Sequence, residues 1–170
     1  MKKLVLVLIW TMFTINVFGQ AISHRMAIEA GCSVMDEGIG PQLGTRYMMG
    51  VTKHLDLSAS LSLSNGILYD DTMGNYHSSG FCSATLGIGG HVDFLSICSA
   101  RLLADGGVAM CAKNDIIYLR PTLGGTAMLA FRVAPAMEIG LYYSETWMFY
   151  SKALKPALGG FGVLCIFKLY

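Results

Sequence analysis

Ten charged side chains in this 170-residue chain fall at matching positions of a recurring two-residue pattern. They are Arg25, Arg46, Arg101, Arg120 and Arg132, set against Glu29, Asp56, Asp93, Asp105 and Glu138. Equal numbers of each sign on one face suit mutual neutralisation, because a charge taken out of water persists only when paired and hydrogen-bonded. The chemistry this suggests is a closed ion-pair network, with an open path for ions as the alternative. Glu29 and Arg46 flank a turn cluster, Asp36-Glu37-Gly38-Ile39-Gly40-Pro41. A hairpin folded about residues 38–39 sets Glu29 opposite Met48, which leaves Arg46 as its diagonal neighbour within side-chain reach. Arg101 and Asp105 stand four apart on one strand face.

Other residue types offer less. His77-Ser78-Ser79 with the distant Glu145 is the nearest approach to a hydrolase's histidine, serine and acid. No Gly-x-Ser-x-Gly elbow accompanies it, and His77 lies among Asn, Ser and Gly, so no catalytic residue is expected. His91, close to Asp93, reads as a lumen or rim histidine bonded to that neighbour ahead of a metal ligand. Cys32, Cys82, Cys98, Cys111 and Cys165 are odd in number and widely spaced, which fits neither a disulfide framework nor a zinc site. They read as small hydrophobes, with one incidental disulfide as the alternative. The pairs Gly124-Gly125 and Gly159-Gly160 suit strand bending, since no helix start follows them to bind phosphate. No metal and no cofactor is expected.

The elements that must carry these residues are strands. Leu55, Leu57, Ala59, Leu61 and Leu63 alternate with Asp56, Ser58, Ser60, Ser62 and Ser64. A period of two argues a half-exposed strand, whereas a helix would smear the pattern around its circumference. The same split recurs eight times, in strands of about ten residues. Lys53-His54, Phe94 to Ile97, Lys113-Asn114-Asp115 and Ala134-Pro135-Ala136 mark short reversals. Asn65 to Gly80 and Glu145 to Pro156 read as the longer irregular connections. In the eighth strand Leu164 and Ile166 share the polar side.

Lys2 and Lys3 precede an apolar run from Leu4 to Phe18, and Val17 and Gly19 offer small residues before Gln20. This is the layout of a secretory signal peptide. The run is shorter than the ~20 residues of a spanning helix, so export with cleavage is favoured over a retained anchor. The expected organisation is a signal peptide over 1–19 and one domain over 20–170. The composition is 54% apolar and only 14% charged, against about 25% charged in ordinary soluble domains. Such a chain can bury ample apolar surface and is not disordered. Its net charge of +1 gives no support to nucleic-acid binding.

Alternation alone does not say which face points inward. Three features favour apolar outside and polar inside. The polar face is mostly Gly and Ser, as the tight interior of an eight-stranded barrel requires. Charges are scarce on the apolar faces. Aromatics cluster near predicted strand ends (Tyr47, Tyr69, Tyr76, Phe81, Phe94, Tyr118, Phe131, Trp147, Phe149, Phe167 and Tyr170), which suits interfacial girdles. An exported chain of this kind is satisfied by closing on itself in lipid. A soluble lipocalin-like barrel is the competing architecture.

The turn Thr52-Lys53-His54-Leu55 before an alternating strand, the run Gly140-Leu-Tyr-Tyr-Ser144 and the aromatic C-terminus resemble the small OmpA/OmpX-like outer-membrane β-barrels of Gram-negative bacteria. The resemblance spans the mature chain and rests on pattern. It implies an all-β, eight-stranded antiparallel up-and-down transmembrane barrel in the outer membrane, with outer-membrane lipid and the barrel-assembly machinery as partners. That machinery reads a terminal aromatic with an apolar residue two positions earlier. Here Tyr170 is terminal but Lys168 holds the earlier position, which leaves the facing of the last strand open.

The expected role is structural, or interactive through the outer loops with an extracellular ligand that the sequence does not name. Tyr69, Asp70, Asp71, Tyr76, His77, Trp147 and Tyr150 form the candidate loop surface, because aromatics on exposed loops mark binding surfaces. Trp147 and Tyr150 read equally as headgroup-level residues. A narrow channel is the runner-up, and a lipid-modifying enzyme the third reading.

Overall fold

A computed structural model describes residues 22–35, 38–70, 75–94, 96–113, 116–150 and 153–170. Eight strands follow one another: β1 (Ser23–Met35), β2 (Gly38–Gly50), β3 (Leu55–Asp70), β4 (Asn75–Phe94), β5 (Cys98–Lys113), β6 (Ile116–Ala134), β7 (Met137–Tyr150) and β8 (Ala153–Leu169). Each pairs antiparallel with the next, and β8 pairs with β1 to close the barrel. Closure pairs every strand with two neighbours through the body of the wall, the condition lipid imposes.

The barrel is inside-out. Leu86, Leu102 and Leu119 are 72%, 68% and 68% exposed, while Asp56 is 0% and Arg101 3% exposed. Along β3 the large residues Leu57, Leu61 and Leu63 point outward, and Asp56, Ser58 and Ser64 are buried. The interior is small because eight strands enclose just enough room for side chains. The last strand obeys the same split. Phe167 and Leu169 are exposed, Lys168 is half-buried facing in, and Leu164 and Ile166 are buried.

Several boundaries differ from the sequence expectation. The strands run from 13 to 20 residues, not about ten. Residues 65–70 and 75–80 are not irregular: β3 and β4 stay in register from Asn65 opposite Gly80 to Asp70 opposite Asn75. Likewise β7 continues through Tyr150 and β8 begins at Ala153. Polar, glycine-rich stretches read as loops, but here the ladder propagates through them although no clean alternation marks a strand. The first hairpin turns earlier than expected. β2 starts at Gly38, so Glu29 faces Gly44 and not Met48.

Closure needs the glycines where the first and last strands meet. Gly31 sits opposite Gly162. A Cβ on either would strike the backbone of the other strand, at Phe161 or Ala30. Gly31→Val is therefore expected to destabilise the barrel by about 1–3 kcal/mol through overpacking. The check is the fraction that refolds in detergent, read as the unheated gel band that boiling shifts. A folded fraction equal to the parent's would mean the seam tolerates side chains.

Candidate functional site in the barrel lumen

The inward positions form two ionic clusters, one above the other. At mid-barrel, Arg46 on β2 uses all three guanidinium nitrogens. Its Nε donates to Glu29 Oε1 on β1 at 2.9 Å and its Nη1 to Asp105 Oδ1 on β5 at 2.9 Å. Its Nη2 donates to Thr126 Oγ1 on β6 at 3.1 Å, and that hydroxyl donates to Asp105 Oδ2 at 2.7 Å. Four strands are thus tied across the lumen by buried, charge-assisted bonds, the stronger kind. Glycines make the room: Gly44 faces Glu29, and a Cβ on Gly87 would fall on the Asp105 carboxylate.

The second cluster lies nearer the short turns. Arg101 on β5 donates from Nη2 to Glu138 Oε2 on β7 at 3.0 Å and from Nη1 to Ser99 Oγ at 2.8 Å. Ser99 donates to the same carboxylate at 3.1 Å. Asp56 on β3 is fully buried, with His91 Nδ1 at 3.0 Å, Arg25 Nη1 at 3.6 Å and Arg101 Nε at 3.8 Å. These contacts are at ion-pair distance without hydrogen-bond alignment. Lys168 Nζ stands 3.9 Å from Glu138 Oε1, toward the mouth.

An apolar layer separates the two clusters. Ala27 lies between Arg25 and Glu29 on β1, and Leu103 between Arg101 and Asp105 on β5. Both belong to one buried group with Met48, Met128, Ala130, Tyr142, Leu164 and Ile166. Toward the long-hairpin end the lumen carries hydroxyl pairs, Ser60 with Thr85 at 2.6 Å and Ser62 with Ser83 at 2.7 Å. Phe81 turns inward there against Ala109 and Met148, so it is not part of an outer girdle. Bonded charge, then packed hydrocarbon, then bonded charge is an arrangement that opposes ion passage: an ion would have to break the pairs and also shed water in the apolar layer.

The structure therefore brings together seven of the ten charges, as Arg25, Asp56, Arg101 and Glu138 in one cluster and Glu29, Arg46 and Asp105 in the other. The remaining three differ from expectation. Asp93 and Arg132 share the inward side but are exposed at the turn-side rim, because their strands end there. Arg120 is half-buried toward the opposite end, its guanidinium 5.6 Å from the Tyr118 ring centre. Arg101 and Asp105 fall in different clusters, with Leu103 between them. His91 faces Asp56 across the β3–β4 ladder, not Asp93 on its own strand.

Ser99, Thr126 and Lys168 were not anticipated as members, nor was the apolar layer. The signal for the layer was present, since Met48 and Leu103 occupy inward positions of strands whose other inward residues are polar. Of the candidate loop surface, Trp147 is half-buried on β7. Tyr69, Asp70, Tyr76, His77 and Tyr150 have backbone positions on β3, β4 and β7, but their side chains are not among those described. Asp71 lies outside the described residues. Cys32, Cys82, Cys98 and Cys165 are free thiols.

No family model matches the chain, and no curated protein matches it by sequence. Solved structures do match. A de novo designed transmembrane β-barrel aligns at TM-score 0.52 and 14% identity, over 86% of this chain and 95% of that one. Neisserial surface protein A aligns at TM-score 0.51 and 14% identity, over 87% and 97%. The Yersinia pestis attachment invasion locus protein Ail, crystallised with the heparin analogue sucrose octasulfate, aligns at TM-score 0.53 and 13% identity, over 87% and 97%. At these identities the likeness is one of architecture, and with the closed register and the inside-out wall it gives this chain the fold of the small eight-stranded outer-membrane β-barrels.

Proposed function

We propose that the protein is an outer-membrane barrel with a sealed lumen, and that its role is structural or is contact with an extracellular partner. In this reading the short turns face the periplasm and the long hairpins face outward, the usual arrangement of such barrels. The chain is delivered by its signal peptide and inserted by the barrel-assembly machinery.

The observation that carries the contact role is the uneven height of the wall. Pairing of β2 with β3 stops at Gln42–Ser64, yet β3 and β4 continue for six more rungs. Pairing of β6 with β7 begins only at Thr122, although β6 pairs with β5 from Ile116. The β3–β4 hairpin therefore stands above the rest: β4 pairs with β5 only as far as Gly80–Ala112, so among the described residues the outer backbone edges of 66–70 and 75–79 have no further strand paired beside them. Such an edge is a template for an extended peptide, which adds as a further strand.

The test is a random peptide library panned on bilayer-embedded protein, against a variant with residues 66–79 replaced by a two-residue turn. The expected result is binders recovered by the full-length wall and lost with the shortened hairpin. Equal recovery from both would refute the contact role. Catalysis has no part in the proposal. His77 is on β4 and Glu145 on β7, strands separated by β5 and β6. The channel reading is checked separately. In planar bilayers the protein is expected to give no unitary current steps, and stable steps would reject the sealed lumen.

A further inference from the structure

The outer wall carries a furrow that the lumen network does not explain. Outward positions on β4 taper toward the long-hairpin end, from Leu86 through Ala84 and Cys82 to Gly80. The flanking strands keep bulk at the same height, Leu63 on β3 with Leu43 beyond it, and Met110 on β5 with Ile117 beyond it. The result is an apolar groove of about 430 Å³ with Gly80 and Cys82 at its floor. A Cβ on Gly80 would meet nothing within 4 Å. Between the β3 and β5 rows the furrow spans two strand spacings, about 9–10 Å.

We infer that this groove seats one acyl chain of an outer-leaflet lipid. The inference rests on the membrane reading above, and continuity argues for the occupant. The furrow opens onto the same apolar band as Leu86, Leu102 and Leu119, without a polar collar between. Its volume is within the ~300–1,000 Å³ of ordinary small-molecule sites. Its lining is elongated across the strands, from Pro41 and Leu43 on β2 to Ile117 on β6, a trough that matches a linear flexible chain better than a compact ligand. In lipid the hydrophobic effect does not favour the seat, because the tail is equally apolar elsewhere. The preference comes from dispersion: a furrow left unfilled loses contacts along its whole lining, and a chain laid in it regains them.

Native mass spectrometry of protein released from vesicles of phosphatidylethanolamine and lipopolysaccharide tests this. The parent is expected to retain one acyl-chain lipid through detergent exchange. Gly80→Trp, which fills the furrow from its floor, is expected to lower the retained fraction about tenfold, equivalent to about 1.4 kcal/mol. Ala127→Trp, on the exposed outer face of β6, is expected to retain as much as the parent. Cys82→Phe provides a second filling variant if Gly80→Trp does not fold. Retention of detergent alone, or equal lipid on parent and both filled variants, overturns the seat. Recovery of the protein in a detergent-free soluble fraction would instead overturn the membrane reading itself.

Discussion

Arg46→Met is expected to cost the folded barrel about 3–5 kcal/mol, the range for breaking a buried ion pair from one side. The size follows from how many partners one side chain serves. Arg46 bonds to two carboxylates and a hydroxyl on three other strands. Without it, Glu29 and Asp105 lie inside the lumen with no cation, and Thr126 retains only Asp105. The carboxylates must then remain charged without compensation or take up protons, and either course costs folding free energy. Urea unfolding of the protein in lipid vesicles, followed by the boiling-sensitive gel band, measures the loss. Adding Glu29→Gln and Asp105→Asn to Arg46→Met should restore much of it, because the buried charges go with their partner. A loss below about 1 kcal/mol, the worth of an exposed pair, would mean that water reaches the cluster and the plug is not closed.

The strand count, the inside-out facing and most of the cluster members were legible in the sequence because each depends on parity. Period two places Arg46 and Asp105 on the same inner face whatever the register. Register was less legible, since it depends on where each hairpin turns. Setting Met35 opposite Gly38, where a turn about residues 38–39 was expected, changes the partner of Glu29 from Met48 to Gly44. The pairing with Arg46 survives only because the long guanidinium reaches either diagonal. His91 shows the limit more clearly. Sequence proximity suggested Asp93, but the β3–β4 ladder puts Asp56 closer, and no local pattern encodes a cross-strand neighbour. The raised β3–β4 hairpin was illegible for a different reason: 65–70 and 75–80 carry no clean alternation of apolar and polar residues, so they look like a loop while pairing as a ladder.

The largest contrast with a soluble barrel is expected on the outer wall. Leu86→Arg places a charge beside Gly87, at the height of Asp105, on a side chain that is 72% exposed. If that exposure is to lipid, the cost is about 2–4 kcal/mol near the bilayer midplane. Val133→Arg makes the same change on an outward residue next to the end of β6, where the wall meets the interface and the cost falls to about 0–1 kcal/mol. A depth-dependent pair of this kind separates lipid from water as the outer solvent, because exposed positions of a soluble barrel tolerate arginine to within about 0.5 kcal/mol wherever they lie. The readout is the urea midpoint of each variant refolded into the same vesicles. Unequal losses, large at Leu86 and small at Val133, place the apolar wall in hydrocarbon. Equal and negligible losses would put water around it, and the outer-membrane role would fail with it.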